Sequence, residues 1–174
     1  PGGGLYSRAY FSPQRYENIF ANSFGHSVPR IGGHLQSPGR EFTSEIIHYD
    51  ASGADKVVVM RLEKGYDVPQ LSELERKLTL TRDGALVLED RFAFADSPLP
   101  VEEAFITWLD AAVSGETARL LGAKHTFELA IEEPTGAHFQ LAVLAEESAA
   151  NRVPIPLKRL SISLPPASQT TVRV

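Results

Sequence analysis

The side chains best suited to chemistry in this 174-residue chain crowd into one stretch, Arg15 to Gln36, RYENIFANSFGHSVPRIGGHLQ. There Arg15-Tyr16 is followed by Asn22-Ser23, Gly25-His26-Ser27, Pro29, Gly32-Gly33-His34 and Gln36. Polar groups set on short turns between apolar residues suit two tasks. A neutral imidazole ligates a metal such as zinc. A cation beside an aromatic ring holds the carboxylate and ring of an acidic sugar.

Each of these residues also has a plainer reading. His26 could be satisfied by backbone carbonyls in a turn. Tyr16 could be a core aromatic with its hydroxyl on a carbonyl, and Arg15 half of a surface ion pair. Turn chemistry alone accounts for Asn22-Ser23 and for Gln36. His34 stands eight residues from His26 across a Gly-Gly turn, which is not a diagnostic metal spacing.

Composition narrows the classes. Hydrophobic residues make up 43% and charged residues 22%, ordinary for a globular chain long enough to bury a core. The formal net charge of -5, with no basic cluster, argues against a nucleic-acid partner. Cysteine is absent, so disulfides and thiolate zinc sites are excluded. No apolar run approaches the roughly 18–20 residues of a membrane span. P-loop, GxSxG and HExxH motifs are missing. The start, Pro1-Gly2-Gly3-Gly4-Leu5-Tyr6, reads as the middle of a turn and suggests a chain cut from a longer protein.

The elements that must position the stretch read as strands. Tyr16 to Phe24 is expected as a short strand or extended arm, and Val28 to Ile31 as a brief strand. Phe42 to Tyr49 and the β-branched KVVVMRL of Lys56 to Leu62 follow, the latter with both faces buried. Lys77 to Thr81 and Ala85 to Phe94 predict a hairpin about Asp83-Gly84, with a two-residue type I′ turn. A second hairpin is expected from Lys124–Glu132 and His138–Ala145 around Pro134–Gly136, and a late strand at Leu160 to Leu164. Val101 to Val113 fits either a helical stripe or a strand face; the strand-rich surroundings favour strand. The spacing predicts one all-β antiparallel sandwich over residues 1–174, supersandwich-like, with little helix.

Alternation predicts a core of Val57, Val59, Leu78, Leu80, Leu86, Leu88, Phe92, Phe127, Leu129, Ile131, Leu141, Val143, Leu160 and Ile162. The histidines His48, His125 and His138 are expected at surfaces or edges. The acidic pairs Glu102-Glu103, Glu132-Glu133 and Glu146-Glu147 would point to opposite strand faces and be solvated. They therefore make no glycosidase pair.

The N-terminal third resembles the C-terminal β-sandwich of heparinase II/III-type polysaccharide lyases, a group that includes alginate lyases. The likeness lies in Tyr6, Phe11-Ser12, Arg15-Tyr16, Asn22-Ser23, His26, Pro29, Gly33 and Gln36, in order over about 38 residues. It continues more loosely through Gly65-Tyr66, Arg76 and Leu88-Glu89-Asp90-Arg91-Phe92, to about residue 95.

The resemblance implies an upstream α/α toroid and a substrate cleft between toroid and sandwich. It implies a structural zinc held by two His and an Asp, of which this chain supplies only His26 and the upstream part the others. Arg15, Tyr16, Asn22 and Gln36 would line the cleft beside it. The catalytic tyrosine and the neutralising Asn or His would sit on the toroid, leaving no catalytic residue here. The parent would cleave an acidic, uronate-containing polysaccharide by β-elimination, in the periplasm or outside the cell. The competing reading is a non-catalytic carbohydrate-binding or structural β-sandwich.

Overall fold

The computed structural model describes residues 5–150 and 155–174; the glycine-rich turn expected at residues 1–4 lies outside them. Twelve strands are described: β1 (Arg30–Ile31), β2 (Glu45–Asp50), β3 (Lys56–Arg61), β4 (Leu71–Leu80), β5 (Leu86–Phe94), β6 (Val101–Thr107), β7 (Asp110–Ser114), β8 (Thr117–Leu121), β9 (Thr126–Ala130), β10 (Phe139–Leu144), β11 (Leu157–Leu164) and β12 (Gln169–Arg173). They form three antiparallel sheets, ordered β1-β6-β11-β10, β12-β5-β4-β3-β2 and β7-β8-β9. Only short 3-10 turns accompany them among the described residues. The all-β sandwich and the strand reading of 101–113 hold, with a turn at Trp108-Leu109 dividing that segment into β6 and β7.

Alternation sets the core. On β11, Leu160, Ile162 and Leu164 face inward, and Val101 and Phe105 of β6 join them. Leu74, Phe92, Phe94 and Val172 meet them from the five-stranded sheet, and Ala118 and Ile131 close the cluster. The opposite face of β11 carries Leu157, which packs with Leu144 under Ile19 and Phe20 of the N-terminal segment. The four-stranded sheet thus packs on one face against the sandwich partner and on the other against apolar side chains of the N-terminal segment that carries the candidate site.

Several expectations are corrected. Among the proposed core residues Leu88, Phe92, Ile131, Leu160 and Ile162 are buried, while Leu80, Leu86, Phe127 and Val143 are exposed. Leu80 and Leu86 lie at the turn end of the β4–β5 hairpin, where burial falls away. Phe127 and Val143 lie on β9 and β10, which are edge strands of their sheets. Val57, Val59, Leu78, Leu129 and Leu141 are half-buried; within KVVVMRL the valines and Met60 are only partly covered on either face, and Leu62 alone is buried.

The β4–β5 hairpin forms where expected, but its turn is not type I′. Gly84 alone takes a positive φ, 92°, and its N–H donates to the Thr81 carbonyl at 3.0 Å. Type I′ would also require Asp83 to be left-handed, and no non-glycine residue among those described is. The second expected hairpin does not form, because β9 and β10 belong to different sheets. The Glu132 and Glu133 amides donate instead to the Arg173 carbonyl of β12, at 2.8 and 3.2 Å.

Candidate functional site

Tyr16 to Phe24 is neither strand nor arm. Pro13–Glu17 and Ser23–Gly25 are 3-10 turns, and the sequence says why. Pro13 starts the first. Asn22 caps the second: its Oδ1 accepts from the Phe24 N–H at 3.0 Å, and its Nδ2 donates to the Tyr16 carbonyl at 2.9 Å. Gly25 must be glycine, since a Cβ there would stand 2.2 Å from the Ile19 carbonyl oxygen. That close approach brings His26 back over the start of the segment.

The fold gathers Tyr16, Asn22, His26 and Gln36 around one open hollow of about 390 Å³, with Ser23 and Leu35 between them. The Gln36 backbone N–H donates to Ser23 Oγ at 2.8 Å, which ties the far end of the stretch to its middle. Tyr16 is 43% exposed, a wall residue rather than a core aromatic. Asn22 contributes mainly as a cap. Arg15 does not line the hollow; its guanidinium lies over the rings of Tyr10 at 5.2 Å and Tyr16 at 5.4 Å. His34 is exposed and bridges back to Ile31, away from His26.

His26 is half-buried and also borders a second hollow with Ile106, Thr107 and Trp108. Burial lowers its pKa below the ordinary 6.5, against a backbone hydrogen bond at Phe20 that acts the other way. The imidazole is therefore neutral at neutral pH, the form that ligates zinc, and one polar partner orients it. Among the described residues no three His, Asp or Glu side chains converge on a metal position. The donor chemistry of His26 fits one zinc ligand; the remaining ligands would have to come from outside the described residues.

The supports of this segment were not foreseen. Glu102 and Glu103, expected to be solvated, are held by arginines on opposite faces of β6. Glu103 enters the inter-sheet core with no exposed surface. There Arg76 of β4 meets its direct cross-strand neighbour Asp90 of β5 in a bidentate pair at 2.8 and 2.5 Å. Arg76 Nη2 also reaches Glu103 Oε1 at 3.2 Å. On the outer face Glu102 receives Arg159 at 2.6 Å and Arg30 at 2.7 Å. Tyr66 lies buried between these groups and the loop, its hydroxyl donating to the Pro29 carbonyl at 2.7 Å.

No family model and no curated protein matches this chain. Solved structures do. Heparan sulfate lyase HepC from Pedobacter heparinus superposes with a TM-score of 0.73 at 7% identity, over 97% of this chain and 26% of that one. A heparinase III gene product gives 0.70 at 10% identity, over 97% of this chain and 25% of that one. A further heparinase III structure gives 0.68 at 12% identity, over 98% and 26%. The chain spans about a quarter of the length of each. At such identities the likeness is one of fold, and the fold of this chain is that of one quarter of these heparinase-type lyases.

Proposed function

We propose that this chain is the β-sandwich portion of a polysaccharide lyase that cleaves a uronate-containing acidic polysaccharide. The reading is carried by the hollow that gathers Tyr16, Asn22, His26 and Gln36 within a fold shared with heparan sulfate lyase HepC and heparinase III. In this reading the C-terminal sandwich walls the cleft and an upstream α/α toroid supplies the catalytic groups. The substrate points to a periplasmic or secreted protein.

The reaction is β-elimination. A base removes the C5 proton α to the uronate carboxylate, the C5–H electron pair becomes a C4–C5 double bond on the new end, and the C4–O pair leaves with the departing sugar oxygen, which takes up a proton from an acid to become a hydroxyl. Charge on the carboxylate must be neutralised before that proton becomes acidic enough. This chain's part is to bind: Tyr16 and Gln36 face the sugar, and Arg15 adds positive charge at the rim. His26 serves as one ligand of a structural zinc completed by residues upstream. Bound zinc would stabilise the folded state.

The test is made in the longer protein that carries this chain. Turnover of heparan-type and alginate polymers is followed by absorbance of the new double bond, and zinc by elemental analysis. His26→Ala is expected to remove the zinc and lower the melting temperature without abolishing turnover. One equivalent of zinc in the 174-residue chain, unaffected by His26→Ala, would overturn the ligand assignment. Turnover by the 174-residue chain alone would overturn the placing of the catalytic groups.

A further inference from the structure

His26 sits between two backbone carbonyls, and each is gripped by a buried arginine. Arg159 Nη1 donates to the Phe24 carbonyl at 2.8 Å, and Arg76 Nη1 donates to the Ser27 carbonyl at 2.7 Å. The two come from different sheets, Arg159 from β11 and Arg76 from β4. Their side chains are 4% and 7% exposed. Both are steadied by neighbouring residues of one strand. Successive strand residues point to opposite faces, so Glu102 meets Arg159 on the loop side and Glu103 meets Arg76 inside the sandwich. A third tie comes from β6 itself, where the Ile106 N–H donates to Ser27 Oγ at 3.0 Å. The Arg159 guanidinium also lies 4.5 Å from the centre of the Phe24 ring.

Burying two guanidiniums is costly, and apolar replacements of similar volume are often as stable or more so. Here the remaining donor of each arginine, Nη1, is spent on one of the two carbonyls flanking a single side chain. We propose that Glu102–Arg159 and Glu103–Arg76 form a two-sided clamp whose task is to position the His26 imidazole at the hollow. The four are positioning residues rather than catalytic ones. The proposal rests on the reading of His26 as a functional side chain.

The experiment uses the full chain, with Arg159→Met, which keeps the stem and removes the donors. Two NMR readouts are taken: the positions and widths of the His26 ring resonances at one fixed alkaline pH, and amide exchange at His26 and Val28 against Leu78 and Leu88. The clamp predicts that the His26 ring resonances shift and broaden, as the imidazole leaves its single orientation at the hollow. It also predicts at least tenfold faster exchange at His26 and Val28, with Leu78 and Leu88 as in wild type. Glu102→Gln, a milder change that keeps an acceptor for Arg159, should move the same readouts less, and it stands in if Arg159→Met does not fold. Unmoved His26 ring resonances, or exchange that rises uniformly across the strands, would overturn the clamp. Shifts as predicted in a longer protein that lacks zinc would overturn the zinc reading and leave the clamp standing.

Discussion

Glu103→Gln should strip one pH dependence from the stability of this fold. Asp90 and Arg76 already form a bidentate pair in the core, so a charge on Glu103 would be a second negative charge beside one cation. Its Oε1 accepts from Arg76 Nη2 at 3.2 Å and from the Ala104 N–H at 2.9 Å, but its buried Oε2 has no partner while ionised. A proton on Oε2 makes it a donor toward Asp90. Burial, then the Asp90 charge, raises the carboxyl well above its ordinary 4.5, with Arg76 pulling back. A raised folded pKa gives stability that is complete below the unfolded value and is lost as pH rises through the folded one. Within that window the wild type should lose about 1.4 kcal/mol per pH unit from this group. Glutamine keeps the acceptor and the donor and cannot ionise, so the variant should gain on the wild type by the same slope. Urea unfolding of both proteins from about pH 4.5 to about pH 8 measures the difference directly. A gap that stays constant with pH, or a loss of about 3–5 kcal/mol in Glu103→Gln at every pH, would mean that Glu103 is an ionised partner of Arg76 and would refute the reasoning. Glu103→Ala should cost at least about 3 kcal/mol throughout, since it leaves Arg76 and Asp90 facing a cavity.

Two further outcomes follow from the packing. Tyr66→Phe removes the buried hydroxyl that satisfies the Pro29 carbonyl and should cost about 1–3 kcal/mol by urea unfolding; no measurable loss would mean the carbonyl has another donor. Leu160→Ala, at a site with no exposed surface, should cost about 2–5 kcal/mol, while Val143→Ala on the edge strand β10 should stay within about 0.5 kcal/mol. Similar losses for the two would contradict the assignment of the core.

Strand existence was legible from alternation, and strand partners were not. Lys77 to Phe94 read correctly as a hairpin because a strong turn pair joins two alternating runs. The runs before and after Pro134 read as the same motif, yet the backbone there bonds to Arg173, some forty residues further on, and local pattern contains no trace of that. Val101 to Val113 fitted a helical stripe as well as a strand face because a bend at Trp108-Leu109 shifts the alternation midway and mimics a longer period; the strand-rich surroundings decided it correctly. The unforeseen exposure of Phe127 and Val143 has one cause: alternation reports which face a residue takes, and not whether its strand lies at a sheet edge.

The candidate site was legible in residue type and illegible in what holds it. Tyr16, Asn22, His26 and Gln36 could be grouped because they are near in sequence. Their supports are distant, with Arg76 49 residues from Ser27 and Arg159 135 residues from Phe24. A usable signal was nevertheless present. Asp90 stands between Leu88 and Phe92 on the inward face of β5, Glu103 between Val101 and Phe105 on β6, and Arg76 between Leu74 and Leu78 on β4. Charged residues at inward positions of alternating strands are expensive unless paired, so three of them in one sandwich imply that they pair with one another. Two carboxylates and one arginine leave a proton to be shared and guanidinium donors to be used elsewhere. The donor left over on Arg76 is the one that reaches Ser27. The breaks in the alternation thus mark the residues that fix His26.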